Sequence, residues 1–62
     1  GNSIKSKCKE LGLDFNHILK KSNRNEQEII NLVNHELNTR YKNTVHTFDS
    51  ILQQKLNYYN EK

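Results

Sequence analysis

The feature that most constrains this chain is the stretch from Glu26 to the end, which contains neither glycine nor proline. Apolar residues recur along it with a mean spacing of about 3.6 residues and fall within an arc of about 140° on a helical wheel. We call these positions the stripe: Ile30, Val33, Leu37, Tyr41, Val45, Phe48, Leu52, Leu56 and Tyr59, with Ile29, Ile51 and Tyr58 on one flank. The unbroken phase predicts one long helix over about 26–60, roughly 51 Å in length.

Residues 38–47 are the weak part of this predicted helix. They are rich in Asn and Thr, which are poor helix formers. The phase of the stripe continues across them, which favours a single helix. The alternative is a break near Asn43, which would let the last segment fold back on the N-terminal helices.

The first part of the chain, about 3–24, predicts two short helices joined by a tight turn. Ser3 is a suitable N-cap for the first helix, and Gly12 is a natural left-handed terminator for it. Asp14 caps the second helix, which ends near Lys21. The fold class predicted for 1–62 is therefore all-α: a single small domain with two short helices followed by one long helix.

The long helix is expected to begin at Asn25, because Glu28 follows it at the spacing of a capping box. The two short helices are each about two turns in length, so they can cover only about half of the stripe. The remainder, centred on Phe48 and Leu52, would be an exposed apolar patch of the kind that soluble monomers avoid. A chain of 62 residues is also marginal on its own.

Another copy of the chain is the natural cover for this patch, which predicts a homo-oligomeric helical bundle, either a dimer or a tetramer. Docking of a larger protein on the same patch is an alternative. The predicted oligomer interface consists of Tyr41, Val45, Phe48, Ile51, Leu52, Leu56 and Tyr59. Sequence analysis therefore favours a non-enzymatic self-association and protein-interaction module.

A second hypothesis concerns the stretch CKELGLDFNHILKK, residues 8–21. This stretch matches a helix-turn-helix unit in having a small residue, a Leu-Gly turn, a cap and then an apolar residue. It departs from such a unit at Lys7 and Lys21, which occupy positions that are usually apolar. Contacts to DNA or to an acidic partner would come from Asn16, His17, Lys20, Lys21 and Arg24. Any two short helices joined by a tight glycine turn would show the same features.

The charge distribution agrees with a basic N-terminal surface. Residues 1–24 carry six basic and two acidic side chains, a net +4, whereas residues 25–62 carry four basic and five acidic ones, a net −1. Nonspecific contact with phosphates needs only such clustered cations, and it weakens steeply with salt.

Several classes of function find no support in the sequence. The spacings of Cys8, His17, His35 and His46 match no zinc pattern, and we expect neither a metal nor a cofactor. No nucleophile motif or phosphate loop is present, so an enzyme is not expected. No membrane span or signal peptide is expected, and the lone cysteine fits an intracellular protein. The start Gly-Asn-Ser suggests a fragment of a larger protein.

The arrangement SIKSKCKELGLDFNHILKK…SILQQKLNYYNEK resembles the C-terminal domains of the yeast Rap-interacting factor family, which are large telomere-length regulators. The resemblance covers nearly the whole chain and rests on size, helix layout and composition. It implies a nuclear location, assembly into a tetramer, and contact with the telomeric repressor-activator protein. The corresponding region of vertebrate relatives is associated with DNA binding, which implies that the basic surface contacts DNA weakly. No residue-level motif carries over from that family.

Overall fold

The computed structural model describes residues 4–61, and its helices follow the predicted order in the first half of the chain. The elements are α1 (Ile4–Leu11), α2 (Phe15–Ser22), α3 (Glu26–Thr39) and α4 (Phe48–Glu61). The all-α class is therefore confirmed. The predicted cap at Ser3 lies outside the described residues.

The predicted turn between the two short helices is confirmed. Gly12 has φ of +75°, the left-handed conformation that glycine adopts without steric cost. The Gly12 N–H donates to the Lys9 carbonyl at 3.3 Å and the Leu13 N–H to the Cys8 carbonyl at 2.7 Å, which is the Schellman pattern. These bonds satisfy two carbonyls at the end of α1 and direct the chain into α2.

The predicted caps of α2 and α3 are also confirmed. The Asp14 carboxylate accepts from the His17 N–H at 3.2 Å, and the Asn25 side-chain oxygen accepts from the Glu28 N–H at 2.8 Å. Between them, Asn23 ends α2 with φ of 57°. Asparagine tolerates this left-handed conformation better than most residues, so α2 stops without a glycine.

The prediction of a single long helix over 26–60 was wrong. The structure instead has the alternative, a break near Asn43. α3 ends at Thr39 and α4 begins at Phe48, with residues 40–47 forming a connection of turns. Within it, Thr44 donates to the Tyr41 carbonyl twice, through its N–H and its hydroxyl, each at 3.1 Å. Residues 4–61 thus form four helices instead of three.

Threonine hydroxyls explain why the helix stops here and restarts later. The Thr44 hydroxyl oxygen accepts from the His46 N–H at 3.2 Å, and the Thr47 hydroxyl oxygen accepts from the Ser50 N–H at 3.2 Å, which caps α4. Side chains that bond to nearby backbone groups offer the chain an alternative to helical bonds. In this segment that alternative prevails over the continuous phase of the stripe.

α4 occupies the centre of the domain, where it packs against both α3 and α2, while α1 packs against α2. Four of the nine buried core residues belong to α4. The core comprises Ile4, Cys8, Ile18, Ile29, Val33, Ile51, Leu52, Leu56 and Tyr59. Because all four helices contribute, the break in the long helix is what allows a single chain to enclose a core.

Candidate interaction surfaces

The seven residues predicted to form an oligomer interface divide into two groups. Ile51, Leu52, Leu56 and Tyr59 are buried in the core of the single chain. The expectation that the short helices leave this part of the stripe uncovered was wrong, because the break at residues 40–47 lets α4 pack against α2 and α3. Val45 is exposed, whereas Tyr41 and Phe48 are half-buried at the edge of the core.

The surface-exposed residues of the stripe lie at the α3–α4 connection. Val45 is 96% exposed and Tyr58, on α4, is 55% exposed. The Tyr41 ring lies against the imidazole of His46, with ring centroids 4.2 Å apart, and it lines one open groove together with Tyr58. We call Tyr41, Val45, Phe48 and Tyr58 the apolar corner. Sequence analysis placed Tyr58 only on the flank of the stripe.

A carboxylate beside this corner ties α3 to α4. Glu36 accepts from Arg40 Nη1 at 3.0 Å and pairs with Lys55 Nζ at 3.2 Å. Burial of the Glu36 carboxyl would raise its pKa, but the hydrogen bonds from Arg40 and Lys55 together outweigh burial, so the pKa is lowered. Glu36 is therefore held ionised between two cations at the edge of the corner.

A second pair links α1 to α4. Lys7 is a buried residue, and its Nζ donates to the Asp49 carboxylate at 3.0 Å. The hydrogen bond to Asp49 is the main cause of the raised Lys7 pKa, and it exceeds the opposing effect of desolvation. Lys7 shares a helical face with Ile4 and Cys8, which was the sequence signal for burial. Its partner is 42 residues away, so sequence spacing could not identify it.

The predicted nucleic-acid contacts on α2 differ in their surroundings. Asn16, Lys20 and Lys21 are exposed, and Arg24 is exposed just after the helix, where its guanidinium donates to the Ser22 carbonyl at 3.1 Å. Asn16 and Lys20 are four residues apart and therefore share one face of α2.

His17 faces the core side of the same helix. It is half-buried, with its Nε2 3.4 Å from the Asn60 carbonyl on α4. His17 therefore lies against the end of α4, apart from the exposed face that carries Asn16 and Lys20.

Most cations of α1, α2 and the turn that follows take part in no ion pair among the described residues. Among residues 4–61, the ion pairs join Lys7, Arg40 and Lys55 to carboxylates. Five exposed cations of α1, α2 and the turn that follows take part in none of these pairs, and we call them the basic surface: Lys5, Lys9, Lys20, Lys21 and Arg24. Their charge is available to an anionic partner.

Lys5 and Lys9 also border an open groove that is lined by Ser6, Cys8, Leu13 and Phe15. Cys8 is 1% exposed, and burial raises the pKa of its thiol, which makes it a poor nucleophile. Within the part of the chain that the structure describes, no group of three or more His, Cys, Asp or Glu side chains is placed to hold a metal ion.

No protein-family model, curated protein or solved structure matches this chain. In residues 4–61, no helix is both long enough and apolar enough to cross a membrane.

Proposed function

We propose that this domain is a non-enzymatic self-association module that assembles through the apolar corner. The observation that carries the proposal is the exposure of Val45 and Tyr58, two large apolar residues of the stripe and its flank that the core of the single chain does not cover; Tyr41 and Phe48 add the half-buried faces that they leave outside the core. Val45 is 96% exposed and Tyr58 is 55% exposed, and Tyr58 shares an open groove with Tyr41. Burial of such a cluster against another copy removes apolar area from water and favours association.

Self-association would give a larger protein several copies of each weak binding surface. Multivalency of this kind raises overall avidity by about 10²–10⁴ without any new type of contact. The resemblance to the Rap-interacting factor C-terminal domains extends the proposal to a dimer or tetramer within a nuclear, telomere-associated protein. On the same basis, the telomeric repressor-activator protein is the proposed partner.

Light scattering over a concentration series tests the proposal. The wild-type chain should exceed the monomer mass at tens of micromolar, and Val45→Asp should return it to the monomer. Since Val45 is almost fully exposed, its replacement should leave helicity and thermal stability unchanged. Asn34→Asp introduces the same charge at an exposed position on α3, away from the connection, and should leave the mass of the assembly unchanged. A wild-type chain that stays monomeric throughout the series would contradict the proposal.

A second candidate function, contact with nucleic-acid phosphates, is favoured by the basic surface. Its five cations are exposed and unpaired with carboxylates among the described residues, so each can neutralise a phosphate. Binding should be insensitive to sequence and should weaken steeply as salt increases. A sequence preference that survives moderate salt would instead support a helix-turn-helix reader that uses residues 8–24.

A charge reversal separates the basic surface from nonspecific attraction by the whole chain. Lys20→Glu together with Lys21→Glu should reduce affinity for duplex DNA and lower the slope of log affinity against log salt by about 2. Lys42→Glu is the control, since Lys42 is exposed in the α3–α4 connection. Lys42→Glu changes the net charge by half as much as the double variant, so a loss of log affinity half as large as that of the double variant would show that net charge alone is responsible.

A further inference from the structure

α3 and α4 are separate helices, yet their apolar faces keep one continuous helical phase. The stripe runs through residues 40–47 with Tyr41 and Val45 in register, although neither residue is in a helix. A connection in a helical hairpin has no need to preserve the phase of the helices that it joins. The sequence of this segment therefore remains compatible with a continuous helix over residues 26–61, about 54 Å long.

Few interactions hold the connection, and most of them are local; the exception is Tyr41, which is half-buried and packs against the core. The hydrogen bonds of the Thr44 and Thr47 side chains are all exposed, and residues 42–45 are exposed as well. The connection contains neither glycine nor proline, so no residue in it prevents helix formation. A helical form of residues 40–47 would replace these turn bonds with backbone bonds along the helix.

Straightening the connection would carry α4 away from its own core. Its buried residues Ile51, Leu52, Leu56 and Tyr59 would then be exposed, while the vacated surface of α1, α2 and α3 would offer the matching packing site. A second copy of the chain, opened in the same way, satisfies both needs with contacts that already exist. Exchange of an identical element between copies is a low-cost route to a dimer.

We propose that the chain self-associates by exchanging α4 between two copies, with residues 40–47 as the hinge. This inference rests on the proposed self-association and specifies its mechanism. Two ion pairs tie α4 to other helices: Glu36–Lys55 and Lys7–Asp49. In the exchanged dimer, each of these pairs joins two different chains. Association through the surface alone would leave both pairs within one chain.

The Glu36–Lys55 pair provides a test that distinguishes the two modes. Chains carrying Glu36→Lys and chains carrying Lys55→Glu are mixed, unfolded in denaturant, refolded together and analysed by native mass spectrometry. In an exchanged heterodimer, one site pairs the new Lys at position 36 with the new Glu at position 55, and the other site is wild type. Either homodimer contains two like-charge sites, so the equilibrium constant for forming heterodimers from the two homodimers should exceed its statistical value by about tenfold.

Two controls make the enrichment interpretable. A mixture of Glu28→Lys and Lys20→Glu chains carries the same net charges at exposed positions that lie in no described α4 pair, and it should pair at random. A chain that carries both Glu36→Lys and Lys55→Glu should refold with the circular dichroism of the wild type. That double variant shows that the positions tolerate the new side chains.

Each outcome of the mixture decides one question. Heterodimer enrichment for the 36/55 mixture but not for the 28/20 mixture supports exchange of α4. Dimers that form in both mixtures without enrichment overturn exchange and leave self-association through the surface in place. If wild type and variants are monomers at every concentration, both the exchange and the proposed function are overturned.

Discussion

Truncation of Leu56 tests whether α4 serves the core of its own chain or an external partner. The Leu56 side chain is fully buried at 0% exposure, and it is one of only nine buried apolar core residues among residues 4–61. Leu56→Ala removes the apolar transfer contribution and leaves a cavity, and buried Leu→Ala changes cost about 2–5 kcal/mol. The free energy of unfolding for a chain of this length is roughly 3–9 kcal/mol, so a substantial fraction of it would be lost.

Thermal and urea melts followed by circular dichroism at low micromolar concentration measure this loss. A cost of at least 2 kcal/mol corresponds to a fall in Tm of about 10 °C or more for a domain of this size. Val45→Ala is the matched control from the same stripe, and it should change Tm by no more than about 2 °C because Val45 is 96% exposed.

A different pair of results would refute the reasoning. If Leu56→Ala kept the wild-type Tm and lost only the assembled mass, Leu56 would lie at an interface between chains, as the single long helix implied. In the structure Leu56 is buried in the core of its own chain, whereas Val45 is exposed.

Three further predictions concern pH, the first turn and the hinge. The pKa of Glu36 is lowered in the folded state, so its pairs with Arg40 and Lys55 should stabilise the fold at pH values above the ordinary Glu pKa of 4.5. This stabilisation should be lost as pH falls through the folded-state pKa. Urea melts at neutral pH and at about pH 3 should show that Glu36→Gln destabilises the chain only at the higher pH. Gly12→Ala should lower the free energy of unfolding by about 1 kcal/mol, because Gly12 has φ of +75° and no atom lies within 4 Å of the new Cβ to add a clash. Urea melts should show this as a lower midpoint with an unchanged m value. Lys42→Pro should destabilise a helical form of residues 40–47 by about 3 kcal/mol per hinge, whereas the turn in the monomer accepts proline and the monomer Tm should be unchanged. Light scattering should therefore find more dimer for the matched Lys42→Ala chain than for Lys42→Pro.

Local signals in the sequence were sufficient for the first half of the fold. Gly12, Asp14 and Asn25 each act through backbone groups within five residues, so their roles follow from residue type and spacing alone. The end of α3 depends on a closer balance. The phase of the stripe favoured a helix through residues 40–47, whereas the hydroxyls of Thr44 and Thr47 favoured turns. The packing of α4 against α2 and α3 decides in favour of the turns, and this packing cannot be read from the local sequence.

The candidate surfaces depended more heavily on tertiary structure. Lys20 and Lys21 could be placed on an exposed basic helix because helical periodicity fixes their direction relative to Ile18. Whether a stripe residue faces the core or the solvent depended on the break in the helix, which is why Leu56 and Val45 were assigned to the same interface. Pairs such as Glu36–Lys55 form only when two helices meet, and no local pattern identifies them.

The burial of Cys8 gives the domain a built-in reporter of its own opening. At 1% exposure and with a raised pKa, this thiol should be protected from alkylating reagents in the folded state. Labelling then requires a transient opening that exposes α1, so its rate in native buffer reports the population of the open form when closing is fast. As Cys8 is the single cysteine of the chain, mass spectrometry can follow one modification per molecule without an engineered probe.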